Sequence, residues 1–325
     1  MRWAIALLVP ACSFGARAAG TQDASGVIDT TNVDAPSIDA APGSCMDRWM
    51  THTVRFMTPT PLFELNTTGY ERDPYVTPDE LAIYFSSVRA DSLPVGQQDV
   101  YTATRSGTAD AFGTVTKFLA GSTTTGSEGK LCLTGDGTQL FVASDTTGDG
   151  SKGATDIFFS QKGATGFAAL GQAKMAMINT AGDEQDPLVT PDGTALYFAP
   201  SLNGGVQQIY VAKRIGETAN FGAPTELTEL ADISGGTGTA DPAVSADQKV
   251  ILFSSGRTGT TGANDIWYAT RDDANGTFSA PMVVPDINTT DYDGDALLSQ
   301  DGCRLYFDST RNQSSDWDLF VAVQQ

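Results

Sequence analysis

An all-β fold, a five-bladed β-propeller closed by an N-terminal strand that completes the last blade, is what this 325-residue sequence predicts. Three observations carry it. Five seventeen-residue windows align without gaps, they recur about every fifty-five residues, and the strand absent from the fifth unit has its counterpart near the N-terminus. Such a period suits a four-stranded blade better than a helical repeat.

In chain order, the first twenty residues, MRWAIALLVPACSFGARAAG, read as an export signal. Arg2 precedes an apolar run from Trp3 to Ala11 that is too short to span a bilayer. Two processing routes are open. LVPAC resembles a bacterial lipobox, which makes residues 1–11 the signal and Cys12 the lipidated first residue. Alternatively, the small residues Ala16 and Ala18 offer ordinary cleavage near Ala18. Residues 13–44 contain only two Ile, two Val and one Phe, so residues 12–44 read as a disordered tether before a folded body at 45–325. No later segment is long and apolar enough to cross a membrane.

The windows are ERDPYVTPDELAIYFSS (71–87), EGKLCLTGDGTQLFVAS (128–144), EQDPLVTPDGTALYFAP (184–200), TADPAVSADQKVILFSS (239–255) and DGDALLSQDGCRLYFDS (293–309). Each reads as an inner strand, a tight turn and a returning strand. The ninth position is always Asp: Asp79, Asp136, Asp192, Asp247 and Asp301. Thr or Ser stands two residues earlier, placed to hydrogen-bond within the turn. A third strand follows, as in DVYTATR (99–105) and DIWYATR (265–271), and then a fourth, opened by Phe112, Phe167, Phe221 or Phe278. FMTPTPLFELN (56–66) matches FSAPMVVPDIN (278–288) in length, leading Phe, Pro and closing Asn, so it supplies the outer strand of blade 5. Closure removes exposed strand edges.

The phrase Asp-Pro, Thr, Pro-Asp-Gly, aromatic strand, then Asp-Ile-Tyr or Asp-Ile-Trp resembles the TolB-like, WD40-like propeller repeat over residues 56–325. That resemblance implies the propeller fold and a bacterial envelope setting. It implies little about function, because such propellers serve as scaffolds, binding modules and enzyme appendages. Blade 2 departs from the pattern, with Lys130-Leu131 in place of Asp-Pro and no counterpart of Arg89, Arg257 and Arg311.

A formal charge of −20 argues against nucleic acid and anionic lipid as partners, leaving cations and basic protein surfaces. One histidine, His52, removes Ser-His-Asp chemistry and His-rich metal sites. At the starts of the inner strands the first column reads Glu71, Glu128, Glu184, Thr239, Asp293 and the third Asp73, Lys130, Asp186, Asp241, Asp295. These carboxylates are candidates for a cation-attracting channel mouth. The competing structural reading, which is preferred, is that they cap turns and pair with Arg89, Arg257 and Arg311. Glycoside hydrolysis needs two carboxylates set apart by environment, whereas these recur blade after blade.

DTTGDGSKGATD (145–156) resembles a calcium-binding loop, with Asp145, Thr147, Asp149, Ser151 and Asp156 as ligands and Gly150 at the sharp turn. An ordinary Gly-rich surface loop is the plainer alternative. With Cys12 set aside, an exported chain favours a Cys45–Cys303 disulfide stapling the N-terminal closure, with Cys132 a buried apolar residue. Trp317 stands outside the repeated columns as a candidate contact residue. The function expected is a non-catalytic, lipid-anchored binding or scaffold module, exported to the periplasm or cell surface. It would bind an envelope protein or peptide, touch the membrane only through its anchor and require no cofactor. A carbohydrate-active hydrolase using channel carboxylates is the alternative.

Overall fold

The computed structural model describes residues 43–89, 97–118, 126–147, 151–201, 205–232, 238–312 and 316–325. The signal, Cys12 and most of the tether lie outside them.

A six-residue helix, α1 (Cys45–Met50), leads in; the repeat pattern does not anticipate it. Ser44 and Asp47 form a reciprocal capping box at its start. The next element, β1 (Thr60–Pro61), pairs with the far end of the chain. Blade 1 comprises β2 (Glu71–Val76), β3 (Ala82–Ser87), β4 (Asp99–Thr104) and β5 (Thr116–Lys117). Blade 2 comprises β6 (Glu128–Leu133), β7 (Gln139–Ser144), β8 (Asp156–Gly163) and β9 (Gly166–Phe167). Blade 3 is β10 (Asp183–Val189), β11 (Ala195–Ser201), β12 (Tyr210–Lys213) and β13 (Thr225–Glu226). Blade 4 is β14 (Ala240–Val244), β15 (Val250–Ser255), β16 (Asp265–Thr270) and β17 (Met282–Val283). Blade 5 takes β18 (Asp293–Leu298), β19 (Arg304–Ser309) and β20 (Asp318–Val323) from the C-terminus and β1 from the N-terminus. The first strands of neighbouring blades pack side by side, so β2, β6, β10, β14 and β18 form the innermost ring.

The turn motif works as its residues demand. Thr77, Thr134, Thr190, Ser245 and Ser299 each donate a hydroxyl hydrogen bond to the turn Asp at 2.6–2.7 Å. The same carboxylates accept the backbone N–H two residues on. The residue after each Asp has positive φ, which three blades satisfy with Gly137, Gly193 and Gly302, and two with Glu80 and Gln248. Between blades lies the core, where Phe85, Phe198, Phe253 and Phe307 recur at one window position and are buried. Phe167 lies in the outer strand β9 as expected, whereas the other three recurrent Phe residues play a different part. Phe112, Phe221 and Phe278 precede the outer strand by four residues and lie under the guanidinium groups of Arg105, Arg214 and Arg271 at 4.1–4.4 Å. Each Arg also donates to a turn carbonyl, so the pair ties the third strand to the turn.

The ring closes twice. Thr60 and Pro61 pair with Val321 and Phe320. Cys45 and Cys303 are disulfide-bonded, with their Cα atoms 5.0 Å apart. Trp49 is fully buried beside this link, donates to the Gly302 carbonyl at 3.1 Å and packs edge-on against Tyr268. A Cβ on Gly302 would collide with Met46, so both the turn and the helix demand glycine there. Cys132 is free and buried, its sulfur accepting the Val189 N–H at 3.2 Å across the blade 2–3 boundary.

Candidate functional site: a carboxylate cluster in the channel

Each inner strand carries a bulge at the third window position. Four blades place Asp there, at φ of 56° (Asp73), 55° (Asp186), 54° (Asp241) and 47° (Asp295). Asp is among the few residues that tolerate this left-handed conformation, and a bulge re-aims its side chain. The four carboxylates therefore turn inward and meet. Single oxygens of Asp73, Asp186 and Asp295 lie within 4.8 Å of one another.

Three departures from the repeat complete the cluster. Arg72 occupies a column otherwise made of Gly, Gln and Ala; its guanidinium bonds Asp295 at 2.9 Å and Asp308 at 3.1 Å, joining blades 1 and 5. Asp308 occupies a column otherwise filled by Ser86, Ala143, Ala199 and Ser254. Lys130 replaces Asp in blade 2, has no positive φ, and pairs with Asp295 at 3.7 Å. Five carboxylates thus face two cations.

Asp295 is the ionised hub. Burial works against its charge, but Arg72 and Lys130 outweigh it and hold its carboxyl below the usual range. Burial, with the Asp295 charge adding to it, pushes Asp73 up to about 7 and Asp241 up to about 6. Asp308 and Asp186 stand well above the usual range, burial being the main cause and the Asp295 and Asp241 charges the next. The Asp295 charge favours a proton on Asp308 and Asp241 beside it, so protons as well as cations balance the cluster. Ser86 donates to Asp73, while Gln207 and the Asp241 N–H donate to Asp186 at 3.3 and 3.4 Å.

Above the cluster opens a polar cavity of about 360 Å³, whose wall includes Arg72, Lys130, Asp186, Asp241, Gln207 and Tyr292. Asp295 and Asp308 are fully buried beneath it. Trp317 is half-buried, its ring 4.1 Å from the Arg72 guanidinium and 4.2 Å edge-on from Tyr292. At the opposite end the channel is apolar, walled by Tyr75, Leu133, Leu188, Val189 and Leu297.

The first-column residues do something else. Glu71 accepts from Thr67 and Ser87 and pairs with Arg89 at 3.7 Å. Asp293 accepts from Thr289 and Ser309 and pairs with Arg311 at 2.5 Å. Glu184 is bound by Thr180, Glu128 accepts from Ser144 at 3.5 Å, and Arg257 bonds the hydroxyl of Thr239. Glu71, Glu184 and Asp293, through Thr67, Thr180 and Thr289, and Thr239, through the Leu230 carbonyl, tie the loop leading into the blade to its inner strand, while Glu128 is bonded to the returning strand of its own blade. The predicted ring is thus two sets: one holds loops, the other converges in the channel.

In the loop at 145–156, Asp149 and Gly150 lie outside the described residues. Asp145 accepts the Ser127 N–H at 2.6 Å, and Asp156 is buried and accepts the Lys152 N–H at 2.6 Å. Asp265, in the same column of blade 4, caps its own loop in the same way, through the Thr261 N–H.

No family model matches the chain, and no curated protein matches it. Solved structures do. An endo-arabinase from Bacteroides thetaiotaomicron VPI-5482 is 17% identical with a TM-score of 0.52, over 83% of this chain and 97% of that one. The catalytic domain of a GH62 α-L-arabinofuranosidase from Coprinopsis cinerea is 12% identical with a TM-score of 0.51, over 84% and 97%. A putative TolB from Agrobacterium tumefaciens is 18% identical with a TM-score of 0.45, over 75% and 71%. At these identities the likeness to the endo-arabinase and the α-L-arabinofuranosidase is one of fold: this chain is a five-bladed β-propeller.

Proposed function

We propose that this propeller is a non-catalytic binding module of the bacterial envelope. It is exported, held by a lipid on Cys12, and receives a positively charged group of a protein or peptide partner at the channel mouth. The observation that carries this reading is a cluster of five carboxyl groups with two cations among them, of which Asp73, Asp186 and Asp241 line an open polar cavity. Burial, with neighbouring carboxylates adding to it, makes these carboxyls hold protons near neutral pH, and a ligand cation can take the place of those protons and let the carboxyls ionise around it.

A hydrolase reading has one observation in its favour: the carboxyls differ widely in proton affinity, as an acid–base pair must. Pairing weighs against it: Arg72 and Lys130 occupy Asp295, the carboxylate that would have to act in its ionised form. The most strongly ionised carboxylate, Asp295, is also sealed from the cavity.

Two assays separate the readings. A panel of chromogenic glycosides, arabinosides included, should show no turnover that Asp186→Asn abolishes. Cross-linking in envelope extract should capture a partner with wild type, and Asp186→Asn should lose it. Turnover removed by Asp186→Asn would install the hydrolase in its place.

A further inference from the structure

Lys130 is the one position at which this chain breaks its own ring. Four blades bring a left-handed Asp to the channel, and the fifth brings an ammonium. That ammonium is 2% exposed and has no hydrogen-bond acceptor among the described residues. An ammonium offers three donors, and burying one with no acceptor is unfavourable unless charge compensates. Here the compensation is the field of the ring. Its ion pair with Asp295 is 3.7 Å long, and Asp241, Asp186 and Asp73 reinforce the attraction enough to outweigh burial. Lys130 is held in place by charge rather than by fitted contacts.

The same oxygens match a hard divalent cation. Calcium takes carboxylate oxygens at about 2.3–2.6 Å, and three oxygens within 4.8 Å of one another can share one ion between them. Asp241 adds a buried oxygen with no hydrogen-bond donor in its present state. A lysine ammonium and a divalent ion cannot both occupy this space, because their like charges repel at such range. The cavity beside Lys130 gives the side chain room to withdraw.

We infer that Lys130 is the channel's resident counter-cation, standing where Asp73, Asp186 and Asp295 would otherwise coordinate a divalent ion, so that this one lysine decides whether the ring takes a metal. Four Asp residues supply the ligands, and blade 2 supplies a tethered substitute for the ion.

Calcium titration by isothermal calorimetry at pH 7.5 tests it on the whole chain. Lys130→Met should bind one calcium ion about tenfold or more tightly than wild type. Lys130→Arg, which keeps the charge, should match wild type, and Asp186→Asn added to Lys130→Met should remove the gain. Equal affinity in wild type and Lys130→Met overturns the inference, as does a gain that survives Asp186→Asn. Where Lys130→Met does not fold without calcium, refolding on adding calcium supports the assignment. A chain that stays unfolded with calcium, both as Lys130→Met and as the polar variant Lys130→Gln, overturns it.

Discussion

Replacing Asp73 by Asn should stabilise the propeller at neutral and alkaline pH. Asn tolerates the left-handed backbone as Asp does, and its side-chain oxygen can still accept the Ser86 hydroxyl. What changes is the charge. In the fold the Asp73 carboxyl titrates near 7, whereas an unfolded Asp titrates at about 3.9. Because the folded pKa is the higher one, the folded chain binds more protons between these values, and stability falls as pH rises from about 4 to about 7. Three pKa units amount to roughly 4 kcal/mol by the upper end of that window. Asn does not ionise, so the variant should gain on the order of 4 kcal/mol over wild type at pH 8, about 1–2 kcal/mol at pH 5, and nothing below pH 4. Urea unfolding at pH 8, 5 and 4, with the slope checked for constancy, measures the difference directly. A variant less stable than wild type at pH 8, or one whose offset does not change with pH, would show that folding does not raise the Asp73 carboxyl. The gain would also mean that wild type keeps this carboxylate at the expense of stability, as functional sites often do.

Other perturbations address the frame. Cys303→Ser removes a link between residues 258 apart and should lower stability by about 2–5 kcal/mol, with reductant having no further effect on the variant. Arg311→Ala leaves Asp293 buried without its cation and should destabilise by about 3–5 kcal/mol in urea unfolding at pH 7. Deleting residues 46–66 removes β1 and most of α1, exposing the edge of β20. The expected result is loss of the cooperative thermal transition, and a truncated chain that melts as wild type does would contradict the N-terminal closure.

The frame was legible because each of its parts repeats. Turn hydroxyls and turn Asp residues occupy fixed columns in all five blades and the core Phe in four, and the closing strand matches the outer strand of blade 4, so one physical reason serves many places. The site was half legible. The Asp column was visible, but at the sequence level it could not be told from the Glu71 column two positions away, since both recur and both are acidic. Only the bulge separates them, by turning one inward while the other stays with its loop. Arg72, Lys130 and Asp308 carried a subtler signal, each being the odd residue in its column. In the sequence Lys130 reads only as a departure from Asp-Pro, because a single exception in one column has no recurring partner to give it meaning. The α1 helix and its Trp49 anchor had no repeat to announce them.

One carboxylate cluster lies in the channel, with Asp295 ionised and its neighbours holding protons near neutrality. Carbon-13 NMR titration of aspartate-labelled protein reads each carboxyl directly. Two resonances should titrate near 7 and near 6, vanish in turn in Asp73→Asn and Asp241→Asn, and be accompanied by one Asp that stays ionised to the acid limit of folding. A spectrum in which every aspartate titrates below about 4.5, as in exposed side chains, would contradict it.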